Sequence, residues 1–199
     1  MCGRYYFNEK AKGNIFRIAD DYSEGIAAYP EKDVFPSQEA PVLYDKDGML
    51  AADLMRWGFE NSVKGGFLIN ARAETCRTKK TFADSMARRR CVMPAAGFYE
   101  WTKAKEKVDF SAESGRPLYL AGFYNLSGGR ESFIIITKEA DESVSPVHDR
   151  MPLIFTEEEI RPWIFGKDYP EMLDTKAETL FAKRDYEQLT FSFAQEGQP

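Results

Sequence analysis

The chain has little of several things that would point to a familiar class of protein. Among 199 residues it carries one histidine and three cysteines. Cys2, Cys76 and Cys91 are odd in number and have no metal-ligand spacing, which favours reduced thiols over a disulfide scaffold and gives no zinc motif. No run approaches the ~20 apolar residues of a membrane-spanning helix, and the N-terminus lacks the basic, apolar, small-residue order of a secretory signal. A cytoplasmic protein that uses no membrane and no metal is therefore expected. Positive charge is also short. Lys and Arg total 27 against 32 Asp and Glu, a net charge of -5, so any nucleic-acid surface must be local rather than broad. What is present is 43% apolar side chains, enough for one continuous core, with no repeat or linker to divide it. One domain over residues 1–199 is expected.

Taken along the chain, Met1 to Phe7 reads as a first strand, and Asn8 caps a helical stretch with Ile15, Ile18, Ala19 and Tyr22 on one face. Pro36 and Pro41 break regular structure before a strand at Val42 to Tyr44. Asp45-Lys46-Asp47-Gly48 is a turn signal, so Met49 to Trp57 is the returning arm of a hairpin. Gly58 to Gly66 has the composition of a mobile loop. A short strand from Phe67 ends in Asn70-Ala71-Arg72-Ala73-Glu74-Thr75, with Asn70, Arg72 and Glu74 expected on one face. Thr81 to Arg90 reads as a helix closed by three arginines, either a solvated end that suits the helix dipole or a phosphate patch. Lys103 to Gly115 reads as a polar loop; Leu118 to Tyr124 and Ser132 to Lys138 read as buried strands. Thr156 to Glu159 is a capping box opening a short helix that Gly166 ends. Helical stretches are expected around Glu171 to Leu173 and Ala177 to Lys183, then a last strand with Leu189, Phe191 and Phe193. Together these predict an α+β fold: a single domain, predominantly antiparallel β with a curved or barrel-like sheet core, and several short helices.

Three residues carry distinctive chemistry. A side chain as small as Cys2 normally permits removal of the initiator methionine, leaving a free α-amine beside a thiol. That amine has a pKa of ~7.8 against ~10.4 for lysine, so far more of it is unprotonated at neutral pH. It can condense with an aldehyde, and the thiol can close the resulting imine into a thiazolidine; alternatively, the thiolate acts on an acyl carbon. Glu100 stands within the apolar and aromatic run Cys91 to Trp101; it is either a carboxylate whose pKa desolvation raises, suited to acid-base work, or a charge at the surface end of a strand. His148, in the proline-bounded Ser145 to Pro152, is the one side chain with an unperturbed pKa near neutrality.

Met1-Cys2-Gly3-Arg4-Tyr5, Asn70-Ala71-Arg72-Ala73-Glu74-Thr75, Gly97-Phe98-Tyr99-Glu100-Trp101 and His148-Asp149-Arg150-Met151-Pro152 occur in the order and spacing of the SRAP family, the SOS response-associated peptidases. Pro36-Ser37 and Trp57-Gly58 also resemble it, so the likeness runs from residue 2 to about 165. The family continues its Trp-Gly segment through a proline into further aromatics, whereas here Phe59-Glu60-Asn61-Ser62 follows. The resemblance implies a monomer, without cofactor, that holds single-stranded DNA and crosslinks to abasic sites through Cys2, acting near the nucleoid if the source is bacterial. By the same resemblance Asn70 positions Cys2, Glu100 moves protons, and His148 assists ring opening and reversal. Arg4 and Arg72, and less directly Arg150, face the DNA backbone, while Pro36 and Trp57 border the gap of the missing base. Family members are also described as removing their own first residue. Two alternatives remain: an N-terminal-nucleophile amidohydrolase or protease with a separate substrate, and a non-catalytic single-strand-binding module.

Overall fold

A computed structural model of the protein describes residues 2–61, 65–127 and 129–184. Strand β1 (Tyr5–Phe7) ends at Asn8, whose side-chain oxygen accepts the Ala11 N–H at 3.0 Å and starts helix α1 (Glu9–Ile18). Short β2 (Asp21–Tyr22), α2 (Glu24–Ala28) and β3 (Lys32–Val34) lead to the hairpin of β4 (Glu39–Lys46) and β5 (Met49–Trp57). Asp47 and Gly48 at its tip take φ of 56° and 87°, the left-handed pair that matches strand twist and that Asp-Gly accepts readily.

β6 (Phe59–Glu60) pairs with β7 (Phe67–Leu68) across the expected loop, of which residues 62–64 lie outside the described residues. In the next segment the strand expectation needs correcting. β8 (Asn70–Arg72) is three residues long and helix α3 (Ala73–Cys76) starts at once, so Glu74 does not share a strand face with Asn70 and Arg72. α4 (Ala83–Arg88) likewise stops before Arg90, which opens β9 (Arg90–Ala95) and is 8% exposed, so it is neither a solvated helix end nor a phosphate patch.

β10 (Gly97–Trp101) is followed by β11 (Lys107–Ala112), where a polar loop was expected. Val108, Phe110 and Ala112 alternate inward there, and the polar residues between them masked the strand. The long arms β12 (Leu118–Ser127) and β13 (Arg130–Glu139) follow, then β14 (Arg150–Pro152) and β15 (Ile154–Phe155). The capping box of Thr156 and Glu159 opens α5 (Glu157–Phe165), and a 3-10 turn covers Glu171–Asp174. Residues 180–184 form β16 (Leu180–Arg184) on the edge of β11 rather than part of a helix, because an open strand edge is a stronger partner than local propensity. The strand expected around Leu189 to Phe193 lies outside the described residues.

Two sheets share one core. The smaller runs β16-β11-β10-β1-β3, and the larger β14-β13-β12-β9-β4-β5-β2. β13 pairs with β12 along one edge and, in parallel, with β5 and β8 along the other, which closes the circuit β5-β4-β9-β12-β13. This is the α+β fold with a barrel-like, mainly antiparallel core that the strand pattern predicts. Gly97 allows β10 to lie close to its neighbours, since a Cβ there would meet the Phe110 carbonyl oxygen at 2.4 Å.

Candidate active site

The β1–β10 register decides where the chain start lies. Tyr5 pairs with Phe98, and the Tyr99 N–H donates to the Arg4 carbonyl at 3.0 Å. Extended by two residues, this register brings Gly3 and Cys2 level with Glu100 and Trp101. From the other sheet, β8 is held against β13 with Asn70 opposite Ile135, and Asn70 Nδ2 donates to the Cys2 carbonyl at 2.8 Å. Cys2 is fully buried and Glu100 is 2% exposed. Burial raises the Glu100 pKa above the ordinary carboxylate range, with His148 pulling the other way. Burial first, and the Glu100 carboxylate second, push the Cys2 thiol far above its ordinary value, so the thiol is neutral at physiological pH.

His148 closes the turn over residues 141–147, its N–H donating to the Val144 carbonyl at 3.0 Å. Its Nε2 faces Glu100 Oε2 at 4.0 Å, while Nδ1 accepts the Arg150 backbone N–H at 2.9 Å. The same Nδ1 lies 3.0 Å from the Asp149 carboxylate, so a donor that needs a lone pair and an anion that favours a proton compete at one nitrogen. Beside His148 lies a groove of about 810 Å³, lined by Trp101, Lys103, Glu106 and the Ser145–Asp149 turn. Cys2, Asn70, Glu100 and His148 therefore meet in one place, drawn from four segments distant in sequence.

The expected DNA-facing residues divide. The Arg4 guanidinium sits 3.6 Å from Asp33 and in a cage of rings, 4.6 Å from the Phe35 centroid, 5.2 Å from Trp101 and 5.7 Å from Tyr99. Such a cage holds the cation in place while leaving part of it open to solvent. Arg72 is exposed and Pro36 half-buried. Trp57 is a correction: it is fully buried, 5.3 Å from the Tyr5 ring and stacked on Phe133, with its Nε1 donating to the Ile69 carbonyl at 3.0 Å. Its indole packs beneath the Cys2 segment instead of bordering a surface gap. Arg150 is a second correction, since its guanidinium is engaged by both oxygens of Glu74 and by the Thr137 carbonyl rather than presented to solvent. Asp33, Phe35 and Tyr99 were not singled out in the sequence, where nothing short of the pairing of β1 with β3 and β10 connects them to Arg4.

Fold and site together define an α+β domain around a closed sheet, in which a buried cysteine beside the chain start meets a carboxylate, an amide and an imidazole. The family model for SOS response associated peptidase (SRAP) matches residues 1–192, and the chain belongs to that family. It is 29% identical over 191 residues to the abasic site processing protein YedK of Escherichia coli (strain K12), covering 86% of this chain and 85% of that protein. It is 32% identical over 184 residues to the abasic site processing protein YoqW of Bacillus subtilis (strain 168), covering 84% and 82%. A crystal structure of a protein from Bacteroides thetaiotaomicron superposes with a TM-score of 0.76 at 20% identity, covering 94% of this chain and 93% of that one.

Proposed function

We propose that the protein captures abasic sites in single-stranded DNA as a covalent adduct of Cys2. The observation that carries this reading is the convergence on Cys2 of Asn70, which donates to its carbonyl, and of the buried Glu100 with His148 beside it. It is supported by the names of the relatives, which are abasic site processing proteins.

The chemistry runs in three steps. Hydrolysis of the Met1–Cys2 peptide bond, by the protein itself or by an aminopeptidase, frees the Cys2 amine. The amine adds to the aldehyde carbon of the open-chain sugar, and loss of one water leaves an imine. Cys2 Sγ then adds to the imine carbon while its proton passes to the nitrogen, closing a thiazolidine. Asn70 holds the Cys2 carbonyl in register. Glu100, kept protonated more readily by burial, gives a proton to the departing hydroxyl, and His148 exchanges protons with it. A buried, neutral thiol is a poor opening nucleophile, so the amine leads. Arg4 and Arg72 take backbone phosphates, with Pro36 at the edge of the strand's path. Buried Trp57 supports the Tyr5 segment from beneath, and Arg150 donates its backbone N–H to His148 while its guanidinium is held by Glu74.

The test is intact mass of the protein before and after incubation with a single-stranded oligonucleotide carrying one abasic site. A chain lacking Met1 that gains the oligonucleotide mass less one water, stably to heat, supports the reading; a processed chain that gains nothing overturns it. Two arginine contacts also predict a log–log salt slope for single-strand binding of about -1.4. A slope near zero would remove the phosphate contacts from the account.

A further inference from the structure

The Glu74 carboxylate grips Arg150 at both ends of its guanidinium, Oε1 to Nη1 at 2.5 Å and Oε2 to Nη2 at 3.0 Å, and Nη2 also donates to the Thr137 carbonyl at 2.6 Å. Each partner is tied to a site residue. Glu74 lies in α3, which continues directly from β8 and Asn70. Arg150 opens β14, and its backbone N–H is the donor to His148 Nδ1. The pair therefore links the segment that holds Cys2 to the segment that presents the imidazole.

His148 is under two opposed pulls at the same nitrogen. The Arg150 N–H at 2.9 Å requires a lone pair on Nδ1, whereas the Asp149 carboxylate, 3.0 Å away, favours a proton there. Asp149 is 88% exposed, so water screens it and its side chain can turn away; the Arg150 backbone is held by the pairing of β14 with β13, and its guanidinium, 13% exposed, is fixed by a bidentate ion pair. We infer that the Glu74–Arg150 ion pair is a positioning clasp that sets the His148 tautomer, keeping the ring proton on Nε2 toward Glu100. Glu74 is thus a positioning residue for the acid-base pair, acting through Arg150 and touching no substrate.

The clasp can be tested without DNA because the protein has a single histidine, so a long-range proton–nitrogen correlation of the imidazole reports its tautomer directly. In the wild-type protein the neutral ring should carry its proton on Nε2. In Glu74→Ala, checked for an unchanged circular dichroism spectrum, the population should move toward the Nδ1-protonated form, whereas Asp149→Asn should keep the wild-type pattern. The reciprocal exchange Glu74→Arg with Arg150→Glu rebuilds the ion pair and should restore Nε2 protonation. If the proposed crosslinking is also correct, Glu74→Ala lowers its maximal single-turnover rate about tenfold, part of a general acid-base contribution of ~10²–10⁴, and leaves half-saturation by the oligonucleotide unchanged. A wild-type tautomer in Glu74→Ala overturns the clasp, whatever happens to the rate. A tautomer that responds as described in a protein that never crosslinks upholds the clasp and overturns the function instead.

Discussion

Arg90 and Glu100 are both charges held in the interior, ten residues apart on strands of different sheets, and their surroundings differ in kind. Arg90 is 8% exposed, yet its guanidinium donates to five backbone carbonyls, those of Met86, Ala87, Trp163, Ile164 and Gly166, and lies 4.0 Å from the Tyr169 centroid. Those carbonyls belong to the last turns of α4 and α5, whose final C=O groups have no partner within the helix. The cation caps two helix ends at once. Glu100, at 2% exposed, faces the His148 imidazole at 4.0 Å, a partner that can itself gain or lose a proton. Burial lowers the Arg90 pKa and raises that of Glu100, disfavouring the charged form in each case. For Arg90 the carbonyl cage offsets that cost and the result is rigidity. For Glu100 the carboxyl is left ready to exchange a proton. The partners of Arg90 are carbonyls of the fold itself, whereas the imidazole beside Glu100 is the neighbour on which the proposed function draws.

The comparison can be broken or sharpened by mutation. The largest effect should come from Cys2→Ala, which removes the thiol that closes the proposed thiazolidine: heat-stable adduct should vanish in a gel or mass assay while non-covalent single-strand binding persists. Next, Glu100→Gln should slow adduct formation by ~10²–10⁴ through loss of its proposed acid-base role, measured on quenched time points. The same substitution should stabilise the fold. A folded-state carboxyl pKa raised by burial means the native state holds its proton more tightly than the unfolded chain, so native stability falls as pH rises from the ordinary carboxylate range through the raised value. The melting temperature of Glu100→Gln should therefore match wild type in acid and exceed it increasingly toward neutrality, by about 2–4 °C for each ~1 kcal/mol at this size. The opposite trend would show that burial does not penalise this charge.

Arg90→Met should do the reverse, leaving carbonyls at two helix ends without donors and costing roughly 3 kcal/mol in denaturant unfolding. Crosslinking per folded molecule should be unaltered. A strong rate loss there would blur the line between the two charges. Phe35→Ala, which opens the ring cage around Arg4, should weaken single-strand affinity by about 1 kcal/mol in a polarisation titration. The smallest effect is expected for Arg17→Ala, which removes the exposed, solvent-screened pair to Glu157 and should leave the thermal melting curve superimposable on wild type.

Local signals in the sequence were reliable where neighbouring residues decide the outcome. The Asn8 cap, the Asp47-Gly48 turn and the Thr156–Glu159 capping box each depend on atoms within a few residues, and each occurs where its pattern lies. Expectations failed where a distant partner decided. Residues 180–184 join β11 as a strand although their pattern reads as helix, and Arg90 lies in β9, with its guanidinium shared between carbonyls of α4 and α5. Trp57 looked like a surface contact because family resemblance says where a residue occurs along the chain, not which way its strand turns it. Alternation groups Glu74 with Asn70 and Arg72, whereas one turn of helix places it on Arg150.

The sequence by itself determined the chemistry available: one small nucleophile at position 2, one imidazole, and a carboxylate set in an apolar run. These are properties of residue type and immediate neighbours, and no fold is needed to read them. Only the tertiary structure decided which groups meet and in what protonation state. Cys2, Asn70, Glu100 and His148 come together because β10 pairs with β1 while β13 holds β8 on one edge and β14 on the other. The shifts of Cys2 and Glu100 arise from desolvation, which exists only once the sheets close around them. The physical reason is range. Capping and turn preferences act over a few bonds, whereas strand pairing, burial and the orientation of an imidazole are set by atoms tens to more than a hundred residues away.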